Sequence, residues 1–523
     1  MATREMILNE RLKGAWDRLF FSLDSNVQKT ITENEEFQKN MIHKLPLTEN
    51  EKNFLLNELQ RVWDRHRVRF NSTDKLQCKF CQNWHLAIRY CESCIRKYLE
   101  NNFGNWTSGN DEIDKLIKEC QKKTVSPRNV IEWISYDQFE NIEYLTEGGY
   151  ATIYTANWKD GYYFKWNSEK QILERLGGHK VILKSLNDSN SNNVKWFQEV
   201  TFNFTLDKTF QVLAKCFGLT KDPKTKNYML VMYYYNYDLR RYLKDNYHTL
   251  KEIQKYRIIY RIAGSLVRIH GQNILHRDLH SGNILCSRHL QWYVSDLGLS
   301  GPVDKPLNNN SIYGNLPYVA PEVFRGQIYT KKSDIYSLGI LMWEVITGEI
   351  PFDEHEHSIV LQVDIINGYR PEIYKNIPQE YADLMKQCWD GNPDNRPDAN
   401  TIYKKMELLI KSIYNEMGEM NEMDEMVEMD KKQGQIIIPE RLAKKNIKLF
   451  KKAISKAYSF GIQTKSQNST DDEQKSFDSF DSQLNDLIFS EEMEKQLYKS
   501  STKAKDSHGR KWNQRSLKFK LIS

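Results

Sequence analysis

Apolar positions along this chain follow different rhythms in different stretches. Near the start they repeat at helical spacing, and Trp16, Leu19, Phe20 and Leu23 predict one amphipathic helix. A second helix is predicted after Thr48, where Thr48 and Glu51 form a capping box and Leu55, Leu56, Leu59, Val62 and Trp63 share a face. Further on, alternation takes over. In VILK, Val181 and Leu183 face one side of a strand while Ile182 and Lys184 face the other, and YMLVM reads as a strand leading into a connector. Between these strands NVKWFQEVTFNF returns to helical spacing, with Val194, Phe197 and Val200 on one face and Glu199 able to reach inward. The run from Asp334, DIYSLGILMWEVITG, is apolar almost all round, which predicts a helix at the centre of a large unit. After Glu416 the rhythm fails: in EMGEMNEMDEMVEMD the methionines recur every three residues and drift around a helix without forming a seam. A short amphipathic helix is possible over Arg441 to Lys456, where Leu442, Ile447, Phe450 and Ile454 sit among basic residues. From Ser459 onward Ser, Asp, Lys and Gln predominate, and disorder is expected.

These shifts divide the 523 residues into a helical region (1–70), a Cys-containing module (71–128), a large mixed unit (135–412) and a charged, mostly disordered tail (413–523). With 40% hydrophobic and 12% aromatic residues, a large core is available. The net charge of +6 is small against 75 basic and 69 acidic groups, so neither nucleic acid nor membrane is signalled as a partner. No long apolar run exists, and MATREMILNE lacks the basic-then-apolar layout of a secretion signal. An intracellular, cytoplasmic protein is expected.

Eight cysteines over this length do not suggest a disulfide scaffold. Four of them form two CxxC pairs in CKFCQNWHLAIRYCESC, with Cys78 and Cys81 ahead of Cys91 and Cys94. Such pairs place four thiolates around one Zn2+ at roughly 2.3 Å. The second pair opens a predicted helix, whose N-terminal dipole is expected to lower the thiol pKa values. Free thiols, or His85 as a replacement ligand, are the competing readings. The module suits a structural role or a partner protein, and the tail could also dock one. Interleaved basic and aromatic residues (Lys79, Trp84, Arg89, Tyr90, Arg96) fit a solvated face as well as a ligand.

The chemistry concentrates in HRDLHSGNIL, His276 to Leu285. Asp278 can accept the hydrogen bond of an attacking hydroxyl, and Asn283, five residues on, offers an amide oxygen to a magnesium ion. Thirteen residues later, after the strand-like Tyr293-Val294, Asp296-Leu297-Gly298 brings a carboxylate to the same ion. An isolated HRD triplet is a common surface loop. What decides is the order of its neighbours, and that order resembles the eukaryotic protein kinases, with HRD-x4-N followed by DLG in the place of the family's DFG.

The resemblance covers about residues 135 to 412 and implies a bilobal α+β fold, a small β-rich lobe over a large helical one. It implies that ATP and Mg2+ bind between the lobes and that protein substrates are phosphorylated. By resemblance Lys184 anchors the α- and β-phosphates, Glu199 orients Lys184, Asp278 positions the hydroxyl, and Asn283 and Asp296 hold Mg2+. LTEGGYATIY aligns with the glycine-rich hairpin, contributing Gly148 and Gly149, although the family's first and third glycines are Thr146 and Ala151 here. Leu145, Ile153, Ile182 and Leu285 would sandwich the adenine, Met232 would back the pocket, and Tyr233 to Tyr235 would offer backbone groups to the base. The 30 residues between Ile153 and Lys184 exceed the family's usual length. Asn203 is polar where such kinases stack an apolar side chain. Arg277 resembles the arginine that meets a phosphate on the following loop, with Ser300, Ser311 and Tyr313 as candidates to carry it. Asp334 is expected to hold the catalytic-loop backbone, and Arg396 to pair with Glu322. His280 and Asn315 stand where serine/threonine kinases usually have Lys and Thr. The later segments are similar to the tyrosine-kinase-like branch, abundant in some fungi, which generally phosphorylates Ser/Thr. A pseudokinase scaffold is the alternative, supported by the eroded glycine hairpin and Asn203.

Overall fold

Reciprocal caps set the first helices of the computed structural model. Thr30 and Thr48 cap α1 (Ile31–Lys44) and α2 (Glu49–Arg69), each with its glutamate three residues on closing the box. The structure describes residues 30–417 except 72–73, 149–150, 190–194, 207–211, 288–290, 304–311 and 354–358, together with Leu12, Gly14, Ala15, Trp16, Leu19, Ala457 and Tyr458. Leu55, Leu59 and Trp63 of α2 are buried with Leu12, Trp16, Leu19 and Ile42, so both predicted apolar faces meet each other. Phe20, Leu23, Gly149, Ser311, the methionine run from 418 and the basic segment 441–456 lie outside the described residues.

The Cys module follows. β1 (Leu76–Gln77) and β2 (Trp84–His85) pair as a hairpin with Cys78 and Cys81 between them, and α3 (Glu92–Asn101) begins at its cap residue Cys91. Next comes α4 (Asp111–Lys122), capped by the Asn110 side chain. The linker then adds strand β3 (Glu132–Trp133) to the sheet of the small lobe.

That sheet contains β4 (Phe139–Glu147), β5 (Ala151–Trp158), β8 (His179–Leu186), β9 (Cys216–Lys221) and β10 (Tyr228–Tyr233), in the order β3-β9-β10-β8-β5-β4. β3 runs parallel to β9 and every other pair is antiparallel. The parallel pair needs Gly218, since a Cβ there would lie 1.8 Å from the Glu132 carbonyl oxygen. The predicted alternation in VILK holds: Val181 and Leu183 are fully buried with Trp158, Phe217 and Met229, while Ile182 and Lys184 take the opposite face. Residues inserted between β5 and β8 form a hairpin of β6 (Tyr163–Asn167) and β7 (Ile172–Arg175). Its Trp166 and Leu173 enter the core of the Cys module beside Tyr90, Ile95 and Leu99. The extra length is thus the module's docking arm. α5 (Lys195–Thr205) lies between β8 and β9 in sequence.

The large lobe is built from β11 (Tyr237–Asp238), α6 (Leu239–Asn246), α7 (Glu252–Gly271), β12 (Ile274–Leu275), β13 (Ile284–Cys286), β14 (Trp292–Val294), β15 (Gly301–Pro302), β16 (Ile312–Tyr313) and α8 (Pro321–Phe324). It continues through α9 (Lys331–Thr347), α10 (Ile359–Ile366), α11 (Gln379–Cys388) and α12 (Ala399–Met417). In α9 every residue from Ser333 to Thr347 is buried, as its all-round apolar sequence requires. A last strand, β17 (Ala457–Tyr458), pairs antiparallel with β16. The result is the expected small β-rich lobe above a large helical one. Among the described residues no helix is long and apolar enough to cross a membrane.

Candidate active site

Lys184, Glu199 and Asp296 come from three separate elements and meet at one point in the cleft. Lys184 projects from β8, Glu199 from α5 and Asp296 from the turn after β14. The Lys184 Nζ lies 2.7 Å from Glu199 Oε1 and 2.7 Å from Asp296 Oδ1. Burial acts to lower Lys184, but Asp296 and Glu199 outweigh it and hold the ammonium above its usual value. For Asp296 burial acts upward, yet the Lys184 charge and the Gly298 N–H push it down to about 2. Glu199 goes the other way: burial, with Asp296 nearby, raises it in spite of Lys184. The turn is close-packed, since a Cβ on Gly298 would meet Glu199 Oε2 at 3.1 Å and Asp296 Oδ1 at 3.2 Å. Asn203, the polar residue one turn after Glu199, donates its amide N–H to the Glu199 carbonyl at 2.9 Å.

The loop carrying Asp278 is held from below. The Asp334 carboxylate, almost wholly buried at the start of α9, accepts the backbone N–H groups of His276 and Arg277, each at 2.9 Å. His270 binds the same carboxylate at 2.8 Å, and this hydrogen bond keeps Asp334 below the ordinary range against the effect of burial. Asn283 donates its amide N–H to the Asp278 carbonyl at 2.8 Å and to Asp278 Oδ2 at 3.1 Å, which leaves the amide oxygen as the end offered to a cation. β13 and β14 pair Ile284 with Val294, and Ser295 N–H donates to the Asn283 carbonyl at 2.8 Å. Asn283 and Asp296 therefore flank the same end of one hairpin. His280 is buried, with Nε2 3.7 Å from Asp278 Oδ2 and Nδ1 accepting the Gly282 N–H.

Cross-strand register places the apolar wall. Ile153 pairs with Lys184 and Ile182 with Met232, so these four side chains share one face of the sheet. Met232 is buried, while Leu145, Ile153, Ile182 and Leu285 remain half-buried. The hairpin above closes through Gly148 N–H to the Ala151 carbonyl at 2.8 Å, and Gly149 lies outside the described residues. The Tyr235 hydroxyl accepts the Lys215 N–H at 2.9 Å, and its ring packs against the cluster that includes Met232.

Arg277, at a φ of +67°, donates to the Pro302 carbonyl at 2.9 Å, meeting the backbone of the loop it was expected to meet through a phosphate. Ser300 is buried with its hydroxyl on the His276 carbonyl, a poor position for an acceptor of phosphate. The backbone of Tyr313 is paired in β16. Arg396 grips Glu322 with two bonds of 2.7 Å, the ion pair read from the sequence. His270 and Ser295 were not read from the sequence: nothing in their spacing marks them as supports of this loop.

Outside the cleft, the four thiols of Cys78, Cys81, Cys91 and Cys94 lie within 4.8 Å of one another. The Cys78–Cys94 and Cys81–Cys91 sulfurs are each 3.6 Å apart, close to the ~3.8 Å edge of a tetrahedron with bonds of 2.3 Å. His85 is not part of the cluster, its Nδ1 lying 2.8 Å from the Ala87 carbonyl oxygen. The lowering expected at the helix start does not occur: burial raises Cys91 to about 11 and lifts Cys94 further. Cys78, in the first pair, is instead brought down to about 7 by backbone N–H groups that overcome its burial.

The family model described as protein tyrosine and serine/threonine kinase matches residues 139–406, more than half of the chain, and the chain belongs to that family. Among its relatives, the RGS domain-containing serine/threonine-protein kinase A of Dictyostelium discoideum is 27% identical over 59% of this chain and 25% of its own length. A probable LIM domain-containing serine/threonine-protein kinase of the same organism is 28% identical over 61% of this chain and 49% of its own. The dual specificity protein kinase pyk3, also from Dictyostelium discoideum, is 27% identical over 58% of this chain and 21% of its own. The chain thus spans half or less of the length of these relatives. They come from an amoeba, where the sequence had suggested a likeness to fungal sets.

Proposed function

We propose that the chain is an ATP-dependent protein kinase that transfers the γ-phosphate to protein hydroxyls, chiefly Ser and Thr, within the tyrosine-kinase-like branch. The observation that carries this reading is the Glu199–Lys184–Asp296 chain, which assembles a phosphate anchor beside a metal-binding carboxylate. In it Lys184 neutralises the α- and β-phosphates, and Glu199 fixes the Lys184 Nζ. Asp296, ionised and 44% exposed, and the Asn283 amide oxygen suit a hard divalent cation such as Mg2+. When bound, that ion supplies charge neutralisation at the phosphates. Asp278 accepts the hydrogen bond of the attacking hydroxyl, with the Asn283 amide fixing its carboxylate.

The names of the relatives support Ser/Thr as acceptors, and the dual specificity relative keeps tyrosine within reach. The presence of all these groups speaks against a pseudokinase scaffold. We also read the Cys cluster as a structural Zn2+ site, on the strength of its spacing and four soft donors. Four cysteines gathered into one cluster of soft donors suit a reducing intracellular compartment. The decisive experiment compares the purified chain with Asp278→Asn, using Mg-ATP and a generic protein substrate. Incorporation should fall by at least ~10³-fold in the variant, phosphoamino-acid analysis should show mainly Ser and Thr, and equal incorporation by both proteins would end the enzyme reading.

A further inference from the structure

Five basic side chains border one cleft beside the Cys module. Its volume is about 240 Å³, and it lies where α2, the module, the linker before β3 and the hairpin β6–β7 come together. Arg61, Arg65, Arg89, Arg128 and Lys165 line it, and no carboxylate does. The acidic partners of these cations stand outside the lining: Glu58 for Arg61, Asp64 for Arg89 at 2.7 Å and Glu174 for Lys165 at 2.8 Å. Burial, aided by Arg128 and Arg89 and opposed by Glu58, pushes Arg61 down to about 10. Like charges are being held together here, which folding does not favour unless something else is gained.

The cleft is also aromatic. The Arg128 guanidinium lies 4.2 Å from the centre of the Phe164 ring, and that of Arg61 5.2 Å from it. A guanidinium stacked in this way keeps its in-plane N–H groups for an oxyanion. Tyr90 and Trp166 complete the walls. On the same module Ile88, next to Arg89 in sequence, is 48% exposed, and Trp84 and Phe80 of the β1–β2 hairpin are 63% and 56% exposed.

We propose that this cleft is a receptor for a phosphorylated side chain on a partner protein segment, with the arginines holding the phosphate. Arginine forks match phosphate oxygens bidentately. The volume falls below the roughly 300–1,000 Å³ of pockets for whole small ligands, which favours a side chain over a free polyphosphate. The five basic side chains converge on one recess, which suits a single phosphate better than a nucleic-acid backbone. Occupancy draws together the α2 helix, the Cys module and the lobe's own inserted hairpin. The proposal is independent of phosphotransfer in the cleft between the lobes.

The test uses the full chain and three fluorescent degenerate peptide pools, with a central phosphotyrosine, phosphoserine or unmodified tyrosine, read by anisotropy at about 0.15 M salt. A phosphorylated pool should bind at least ~10-fold tighter than the unmodified one, and Arg61→Gln combined with Arg128→Gln should remove that advantage. Unfolding midpoint and metal content report whether the double variant is folded. If it is not, Lys165→Gln, at a 62% exposed side chain, should still weaken the phosphorylated pool about threefold. Equal binding of the pools, or variants that bind like the wild type, would overturn the proposal. So would inositol hexakisphosphate or single-stranded RNA binding more tightly than any peptide pool.

Discussion

Glu199 is the residue on which the cleft's electrostatics turn. Its carboxylate is raised by burial and stays where it is because Lys184 sits 2.7 Å away. A folded pKa above the unfolded one means the stabilising contribution is full below the unfolded value, about 4.3, and is lost as pH rises through the folded value. At neutral pH an ionised Glu199 therefore costs stability and is retained for its effect on Lys184. Asp296 has the opposite sign: at about 2 its contribution is full above the unfolded value and disappears only as pH falls through 2. Glu199→Gln is accordingly expected to lower kcat/KM by about 100-fold, as misplacement of a positioning contact does, while the unfolding midpoint at neutral pH stays level or rises. Thermal melts across pH check the sign, with the wild type losing ground to the variant as pH increases. A variant that melts earlier yet keeps its activity would refute this account. These side chains could be named from the sequence because they stand in motifs that resemble those of the protein kinases, in the same order. His270 and Ser295 could not, because a side chain that serves only through a backbone or carboxylate partner leaves no pattern until the fold brings the partner to it.

Helices α4 and α5 set where Glu199 can go. Ile113, Leu116, Ile117 and Cys120 of α4 share a core with Val200 and Phe204 of α5, and Gln121 ties α4 to the Ile131 carbonyl at 2.8 Å. Thus the catalytic unit's α5 leans on a helix that precedes the kinase-like region in sequence. Ile117 is fully buried, and Ile117→Ala should remove about 2–5 kcal/mol of stability. Because the lost packing lies behind α5, activity should fall with it, and a loosened Glu199–Lys184 contact should appear as a weaker affinity for nucleotide. Destabilisation with full nucleotide affinity would show that α4 is only a scaffold. α4 was not read from the sequence, and its apolar stripe would have stated only that something covers it and not what. For the long connection between β5 and β8 the length was plain, whereas its use required seeing Trp166 among the module's side chains.

Taken together, the chain is continuous from the Cys module into the kinase lobe, and the zinc ion proposed for the module is predicted to matter to both. The four cysteines, Tyr90, Ile95 and Leu99 form one core with Val130 of the linker and with Trp166 and Leu173 of the lobe's hairpin, and Tyr98 meets the Trp166 ring edge-on. Arg175 then ties that hairpin to Glu132 of β3, the strand that enters the sheet beside β9. A module this small has too few apolar side chains to stay folded by burial alone, so ion binding should supply a large part of its stability. Metal analysis should find a single zinc ion per chain, lost in Cys78→Ser and in Cys91→Ser. Chelation should lower the first unfolding transition and shift tryptophan emission to the red, and the shift should shrink in Trp166→Phe, whose ring is the lobe's contribution to that core. The red shift is the informative readout, because it reports on a lobe residue while the perturbation acts on module cysteines. A chain that holds no zinc, or one whose Trp166 emission ignores its removal, would show the two cores to be neighbours without being coupled.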